Sequence, residues 1–244
     1  MRVARLVNSL VLTAHGSADP RSAANAHAIA GHLRRLLPDT DVRVAFCEQN
    51  TPNLVDALAD VAPGSVVTPL LLASAYHART DIPAIITEAG ADVRQADVLG
   101  EDPRLLQVVR ERLTAIGVSR FDADLGVILA SVGSSHPVAN ARTAALAHTL
   151  AEGTRWVGVE AGFATGQTPS VAEAAARLRA SGARRLVIAP WFLAHGKITD
   201  RVAEFARTSG IPMAEPLGPH RLVAATVLDR YEEALAARTA GFAA

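Results

Sequence analysis

Three side chains with the chemistry of metal ligands occur in the first half of the chain, each just after an apolar run. They are His15, Glu48 and His77. Two imidazoles and a carboxylate suit a divalent ion such as iron, cobalt, nickel or zinc. A set of three leaves coordination positions open for water or substrate. A histidine also accepts protons at neutral pH, so His15 and His77 are candidate catalytic bases as well as candidate ligands.

The elements that must position these residues follow an alternating pattern. Short apolar, β-branched runs predict strands at 6–14, 41–47, 65–73, 92–98, 124–131, 155–161, 185–193 and 212–216. Alanine- and leucine-rich segments between them predict helices at 21–36, 52–61, 103–115, 138–152, 169–181 and 220–238. Runs that are apolar throughout indicate strands buried on both faces. Alternation of strands with helices predicts an α/β protein with parallel sheets flanked by helices.

The candidate ligands are predicted to meet at one edge of the first sheet. Neighbouring strands lie about 4.8 Å apart, and ligands of open parallel sheets bind where the strands end. A Gly-Ser turn after His15 lets the backbone approach a ligand. We expect Asp81 to cap a helix that has Pro83 in its first turn, which leaves His77 in the preceding loop. Cys47 is expected to point away from Glu48 into the core.

The same unit occurs twice, and only the first copy keeps the chemical groups. A Gly-Ser turn follows His15 in the first copy and Val132 in the second. Glu48 corresponds to Thr165, and both 132 − 15 and 165 − 48 give an offset of 117. Groups that build the turn are present in both copies, whereas the candidate ligands are not. We therefore predict the active site in the first copy.

The second copy offers fewer candidates. His195 follows the third predicted strand of this copy and is a possible site residue, although no further ligand clearly accompanies it. His136 stands where the first copy has Asp19, and it fits a helix cap as well as a ligand. The predicted domains are 1–119, which carries the active-site residues, and 120–244, a degenerate repeat.

Composition narrows the class of protein. Lys plus Arg equals Asp plus Glu at 24 each and aromatic residues make up 4%, which disfavours a nucleic-acid partner. Cys47 is a lone cysteine and suits a reducing cytoplasm. No apolar run reaches the roughly 18 residues needed to span a membrane. The apolar stretch at 6–14 superficially resembles a signal peptide, but the repeat indicates that it is the first strand.

These motifs closely resemble the class II chelatases of the CbiX and SirB type, the sirohydrochlorin cobaltochelatases and ferrochelatases. The segments that carry the resemblance are Ala14-His15-Gly16-Ser17, Phe46-Cys47-Glu48 with Pro52, and Leu70-Leu71-Leu72 through Tyr76-His77 to Asp81-Ile82-Pro83. The chain departs from many members at Ala18, where they have Arg, and at Ala75, where they have Gly; the second change could tighten the loop that aims His77.

The resemblance implies two tandem flavodoxin-like domains of the chelatase fold, with a tetrapyrrole held in a cleft between them. It implies that His15 and His77 carry catalysis and that Glu48 helps them bind the metal. The residues expected to contact substrate are Gly16, Ser17, Tyr76, Arg79 and His195.

The expected reaction is insertion of Fe²⁺ or Co²⁺ into sirohydrochlorin, for sirohaem or cobalamin biosynthesis. The ion is a substrate, and no organic cofactor is expected because the chain has neither a Walker motif nor GxGxxG. We expect a cytoplasmic monomer whose duplication mimics a dimer, with no nucleic-acid or membrane partner. Two alternatives stay open: a non-catalytic carrier of tetrapyrrole or metal, and a metal-dependent hydrolase on an α/β scaffold.

Overall fold

The computed structural model describes residues 9–74 and 76–241, and it describes side chains as far as residue 237. Seven strands are present there: β1 Ser9–Ala14, β2 Asp41–Phe46, β3 Ser65–Pro69, β4 Val93–Gln95, β5 Leu125–Ser131, β6 Gly158–Phe163 and β7 Arg185–Pro190. Eight α-helices alternate with them: α1 Pro20–Leu36, α2 Leu54–Leu58, α3 Ile82–Ala89, α4 Pro103–Ala115, α5 Pro137–Ala151, α6 Val171–Ala180, α7 Lys197–Thr208 and α8 Arg221–Gly241. The predicted α/β class with parallel sheets is confirmed.

The chain forms two compact units, each with its own parallel sheet. In unit 1 the strand order is β2-β1-β3-β4. The central strand β1 is buried along its whole length, as its continuous apolar run predicts. Ala14 at its end pairs with Phe46 of β2, and Thr13 pairs with Pro69 of β3. The loops that leave these three strands therefore begin side by side.

Unit 2 repeats this topology with the order β6-β5-β7. At the position that β4 occupies in the first sheet, the predicted strand 212–216 is reduced to a single bridge between Met213 and Ile188 of β7. The strand predicted at 155–161 lies slightly later in the chain, at Gly158–Phe163, where it pairs with β5 in parallel register.

The compact units differ from the predicted division into 1–119 and 120–244. Unit 1 consists of residues 1–100 and 219–244, and unit 2 consists of 101–218. The helix that ends each sequence repeat thus belongs to the unit formed by the other repeat. In unit 1, α8 packs on α1 and β3. In unit 2, α4 packs on β7 and α5.

Side-chain hydrogen bonds hold both exchanged helices in place. Within unit 1, Arg94 of β4 donates to the carbonyl of Ala234 in α8 at 3.2 Å, and Arg230 of α8 donates to the carbonyl of Val98 at 3.1 Å. Within unit 2, Arg112 of α4 donates to the carbonyl of Leu217 at 3.0 Å. Helical periodicity shows which face of a helix is buried, but not which sheet buries it.

Several element boundaries also differ from prediction. β3 ends at Pro69 rather than at residue 73, and β4 has three residues instead of the seven in 92–98. The helix α7 was not predicted; its buried residues are Thr199, Val202 and Ala206. The predicted strand residues 6–8 and the loop residue Ala75 lie outside the described residues.

Within 9–74 and 76–241, no helix is both long and apolar enough to cross a bilayer.

Candidate active site

The turn after β1 brings the backbones of His15 and Glu48 together. Gly16 has a φ of +99°, and a Cβ built there would lie 1.8 Å from the carbonyl oxygen of Glu48. The amide of Glu48 donates to the carbonyl of His15 at 3.0 Å. Only glycine fits this close approach and this left-handed conformation. Gly16 therefore sets the spacing between a candidate base and a candidate ligand.

Asn50 locks the same turn from the β2 side. Its side-chain oxygen accepts a hydrogen bond from the backbone N–H of Ser17 at 2.7 Å. The backbone N–H of Asn50 donates to the carbonyl of Glu48, also at 2.7 Å. Sequence reasoning missed Asn50. The internal repeat could have revealed it, because a second side-chain amide, Gln167, stands 117 positions later. The backbone N–H of Gln167 makes the equivalent bond to the carbonyl of Thr165 at 2.7 Å.

The imidazole of His15 is oriented through Nδ1. This nitrogen lies 3.1 Å from the carbonyl of Gly16 and 3.4 Å from Oε1 of Glu48. A carbonyl oxygen only accepts, so Nδ1 must carry a hydrogen to bond it. In the neutral ring, Nε2 is then the nitrogen with a free lone pair. The side chains of His15 and Glu48 are 34% and 52% exposed, so a substrate can reach both.

His77 begins a π-helical turn, His77–Asp81, that runs straight into α3. The amide of Ile82 donates to the carbonyl of His77, five residues back. Two contacts fix this turn to the rest of the unit. Ala78 is buried, and Gln95 of β4 donates to its carbonyl at 2.7 Å. The turn presents the His77 ring on the outside, where the side chain is 46% exposed.

Asp81 does not cap a helix, which corrects the prediction. It has helical backbone angles and makes no side-chain capping bond, because the π-helical turn already supplies the first turn before α3. Its Oδ2 lies instead 2.5 Å from Nδ1 of His77. A spacing of four residues puts two side chains on one helical face. The four-residue spacing between His77 and Asp81 could therefore have revealed the pair in the sequence.

The rings of His15 and His77 meet edge to face. Their centroids are 4.1 Å apart and their planes form an angle of 81°. The carboxyl ends of β1 and β3, which the two residues follow, lie on either side of the point where the strand order reverses. In open α/β sheets this point is where ligands bind. His15 thus lies against both Glu48 and His77 at the predicted edge of the sheet.

Two of the predicted substrate contacts, Tyr76 and Arg79, lie at or in the turn that carries His77. Tyr76 is 55% exposed, and its ring centroid is 6.1 Å from that of His77. Arg79 is exposed and donates through Nε to Ser74 at 3.1 Å. In residues 9–74 and 76–241, no group of three or more His, Cys, Asp or Glu side chains forms a ready-made metal site. Joint ligation by His15, Glu48 and His77 stays a prediction.

Cys47 lies next to Glu48 in the chain and is partly shielded from solvent. It is half-buried and packs against the core cluster that includes Leu54 and Ile82. Burial raises the pKa of its thiol to about 11, and the carboxylates of Asp81 and Glu48 act in the same direction. The thiol is therefore neutral at neutral pH, and as a nucleophile it is much weaker than a thiolate.

Unit 2 keeps the turn but replaces the chemical groups. Gly133 has a φ of +90°, like Gly16, and the amide of Thr165 donates to the carbonyl of Val132 at 3.1 Å. The hydroxyl of Thr165 binds this same carbonyl at 2.7 Å. Val132 is 40% exposed, and its side chain has no lone pair for a metal or a proton. Backbone geometry is thus common to both units, whereas the imidazole and the carboxylate are particular to unit 1.

His195 and His136 of unit 2 have other neighbours. Nε2 of His195 lies 2.8 Å from Oε2 of Glu215, and both side chains are substantially exposed. His136 occupies the position before α5, but its ring makes no capping bond. Whether His195 contacts substrate stays a prediction.

The two parallel sheets define a duplicated, flavodoxin-like α/β protein, and the imidazoles of His15 and His77 pair at the edge of the first sheet. The chain belongs to the CbiX family, whose model matches residues 9–116 and 126–234, once for each repeat. The resemblance seen in the sequence is therefore confirmed at the level of the family.

Two curated relatives agree with this assignment, and a solved structure has the same fold. The chain is 28% identical over 216 residues to a sirohydrochlorin cobaltochelatase of Priestia megaterium, covering 82% of this chain and 69% of the relative. It is 24% identical over 207 residues to a sirohydrochlorin ferrochelatase of the same organism, covering 81% and 77%. The structure of SirB from Bacillus subtilis with Fe³⁺ superposes with a TM-score of 0.80 at 22% identity, covering 96% of this chain and 98% of that chain.

Proposed function

We propose that this protein is a sirohydrochlorin chelatase that inserts Fe²⁺ or Co²⁺ into the tetrapyrrole. The observation that supports this most directly is the contact between the imidazoles of His15 and His77, with Glu48 beside them, in a member of the CbiX family. The curated relatives are named for this reaction with cobalt and with iron.

The reaction needs a metal donor and a proton acceptor at the same place. A divalent ion enters the macrocycle as two pyrrole N–H groups lose their protons, so the products are the metallated ring and two protons. A neutral imidazole can hold the ion or take a proton, but one lone pair cannot do both at once. Two adjacent rings separate these tasks: one Nε2 releases the metal while the other accepts the first proton, and the lone pair that the metal leaves then accepts the second.

The surrounding residues complete the proposal. Glu48 lies 3.4 Å from His15 and adds a hard oxygen ligand for the incoming ion. Arg79 and Tyr76 are exposed next to His77 and bind the substrate, Arg79 through a peripheral carboxylate. The Gly16-Ser17 turn lets the macrocycle approach the backbone. His195 is proposed as a further substrate contact.

Imidazole and carboxylate ligands accept both Fe²⁺ and Co²⁺, so the proposal includes either ion as substrate. An iron product would serve sirohaem biosynthesis, and a cobalt product would serve cobalamin biosynthesis. No organic cofactor takes part. We propose a monomer that works in the cytoplasm, which is consistent with the single cysteine in the sequence.

One assay tests the function. Purified protein is mixed with a large excess of sirohydrochlorin and Co²⁺ or Fe²⁺, and the absorbance change is compared with the rate without protein. Many turnovers per protein are expected. A single stoichiometric step would favour a carrier of tetrapyrrole or metal. No spectral change with either ion would reject the chelatase and return the metal-dependent hydrolase to consideration.

A further inference from the structure

We propose that Asp81 is a positioning residue that holds the His77 ring with Nδ1 protonated, so that Nε2 keeps its lone pair for metal or proton. The catalytic part of this inference rests on the proposed chelatase function; the structural part does not. The central observation is the 2.5 Å distance between Oδ2 of Asp81 and Nδ1 of His77.

The backbone leaves the Asp81 carboxylate available for this contact. An aspartate just before a helix ordinarily caps it, with extended backbone angles and a bond to an amide in the first turn. Asp81 has φ −69° and ψ −51° and makes no such bond. Its carboxylate is turned towards the ring four residues earlier, on the same face of the helical turn.

The contact is supported on both sides. Ala78 and Ile82 are 6% and 1% exposed, so the turn that carries Asp81 is packed against the core. Gln95 holds the same turn through the carbonyl of Ala78 at 2.7 Å. On the other side of the ring, His15 lies edge to face with His77 at 4.1 Å between centroids. The contact between Asp81 and His77 therefore differs from an ordinary surface ion pair, in which two long side chains must lose their mobility to meet.

The chemical consequence concerns the tautomer. Free imidazole exchanges its proton between two nitrogens, and a ring that carries the hydrogen on Nε2 cannot use that nitrogen as ligand or base. A carboxylate accepting from Nδ1–H fixes both the tautomer and the orientation of the ring. His15 obtains the same result from the carbonyl of Gly16 at 3.1 Å. The two rings thus present the same nitrogen by different means.

The first readout is the tautomer itself, which does not depend on turnover. Long-range ¹H–¹⁵N NMR spectra of the full-length protein, recorded at mildly alkaline pH, report which nitrogen of each neutral ring is protonated. The His77 signals are identified by their loss in His77→Gln. We expect Nδ1–H in the wild type and a shift towards Nε2–H in Asp81→Ala. An Nε2–H ring in the wild type, or an unchanged ring in Asp81→Ala, would overturn the inference.

The second readout is the rate of metal insertion. Loss of a partner that orients a metal-binding histidine costs about 10- to 100-fold, and we expect this loss in kcat for Asp81→Ala with KM for the tetrapyrrole little changed. Asp81→Asn keeps an acceptor oxygen and should recover part of the rate. Asp60→Ala removes an almost fully exposed carboxylate of the same unit and serves as the matched control.

The two readouts separate the possible failures. Alanine is favourable in a helix, so Asp81→Ala should keep its circular dichroism spectrum and melting temperature. If the tautomer shifts as expected but the wild type shows no turnover, the positioning role stands and the chelatase proposal fails. If the wild type turns over and Asp81→Ala retains full kcat, the positioning role in catalysis is wrong.

Discussion

The imidazoles of His15 and His77 lie edge to face, 4.1 Å apart between centroids, although 62 positions separate them in the chain. They meet because they follow β1 and β3, which are neighbours in one parallel sheet. Each ring has an oxygen against its Nδ1. The pair therefore offers two like nitrogens at one place, which suits a reaction that exchanges a metal ion for two protons.

Removing either ring should stop the reaction. We expect His15→Ala and His77→Ala each to lower kcat by at least about a hundredfold, because each removes a group that holds the metal or takes a proton. Both side chains are partly exposed, so the variants should fold. Turnover is measured by absorbance, with circular dichroism as a check. His148→Ala, at an exposed position in α5, is the control; full rates in both site variants would disprove the assignment.

Neutralising Glu48 should weaken the use of metal. We expect Glu48→Gln to raise the KM for Co²⁺ or Fe²⁺ by about tenfold, because a neutral amide is a weaker ligand for a divalent ion than a carboxylate. The measurement is a metal titration of the initial rate at saturating tetrapyrrole. Glu88→Gln makes the same change at an exposed position of α3. Equal metal dependence in the two variants would remove Glu48 from the set of ligands.

The turn at Gly16 should not tolerate a side chain. In Gly16→Ala the new Cβ would meet the Glu48 carbonyl in a left-handed backbone conformation. We expect a loss of about 2 kcal/mol or more in the free energy of unfolding. This corresponds to a fall of about 4–8 °C in melting temperature for a chain of this size.

Gly31 provides the matched substitution. It lies inside α1, and apart from its chain neighbours and the nearby backbone of the same helix, no atom lies within 4 Å of the point that a Cβ would occupy there. Gly31→Ala should leave the melting temperature unchanged or raise it, since alanine is favoured over glycine inside a helix. Calorimetry of the two variants side by side measures the difference. A Gly16→Ala protein as stable as Gly31→Ala would show that the turn can relax.

The Cys47 thiol should react slowly in the folded protein. Its pKa is raised from 9.0 to about 11, so at pH 8 the reactive thiolate is about a hundredfold scarcer than in an ordinary cysteine. Burial disfavours the anion, so the rate of alkylation by iodoacetamide should keep rising with pH up to about 11. Labelling is followed by mass spectrometry, with the urea-unfolded chain as reference. Equally fast labelling of both forms at pH 8 would refute the shielding of Cys47.

His195 should matter less than the pair in unit 1. Its Nε2 is bonded to Glu215 at 2.8 Å, which leaves it less available as a base or ligand. We expect His195→Ala to lower kcat/KM for the tetrapyrrole by less than about tenfold, with kcat nearly unchanged, since a substrate contact acts mainly on binding. Steady-state kinetics measure this. A loss of kcat as large as that of His15→Ala would show that His195 of unit 2 takes part in catalysis.

That His15 lies near Glu48 and near His77 could be predicted, because all three residues follow strands of one parallel sheet. Continuous apolar runs indicate parallel strands, and parallel strands end at one edge. The role of Asp81 could not be predicted in the same way. Its sequence context is that of a helix cap, and the π-helical turn that overrides it depends on the burial of Ala78 and on a bond from Gln95 of β4. Such contacts arise only once the unit has folded.

The exchange of α4 and α8 has a consequence for how the chain can be divided. A fragment ending at residue 119 would include α4 without the sheet it packs on, and it would lack the helix that lies against α1 and β3. Its histidines would sit on a sheet stripped of one of its helices. A protease that removed the carboxyl-terminal helix α8 would thus destabilise the sheet that carries His15 and His77, although these residues lie more than a hundred positions earlier in the chain.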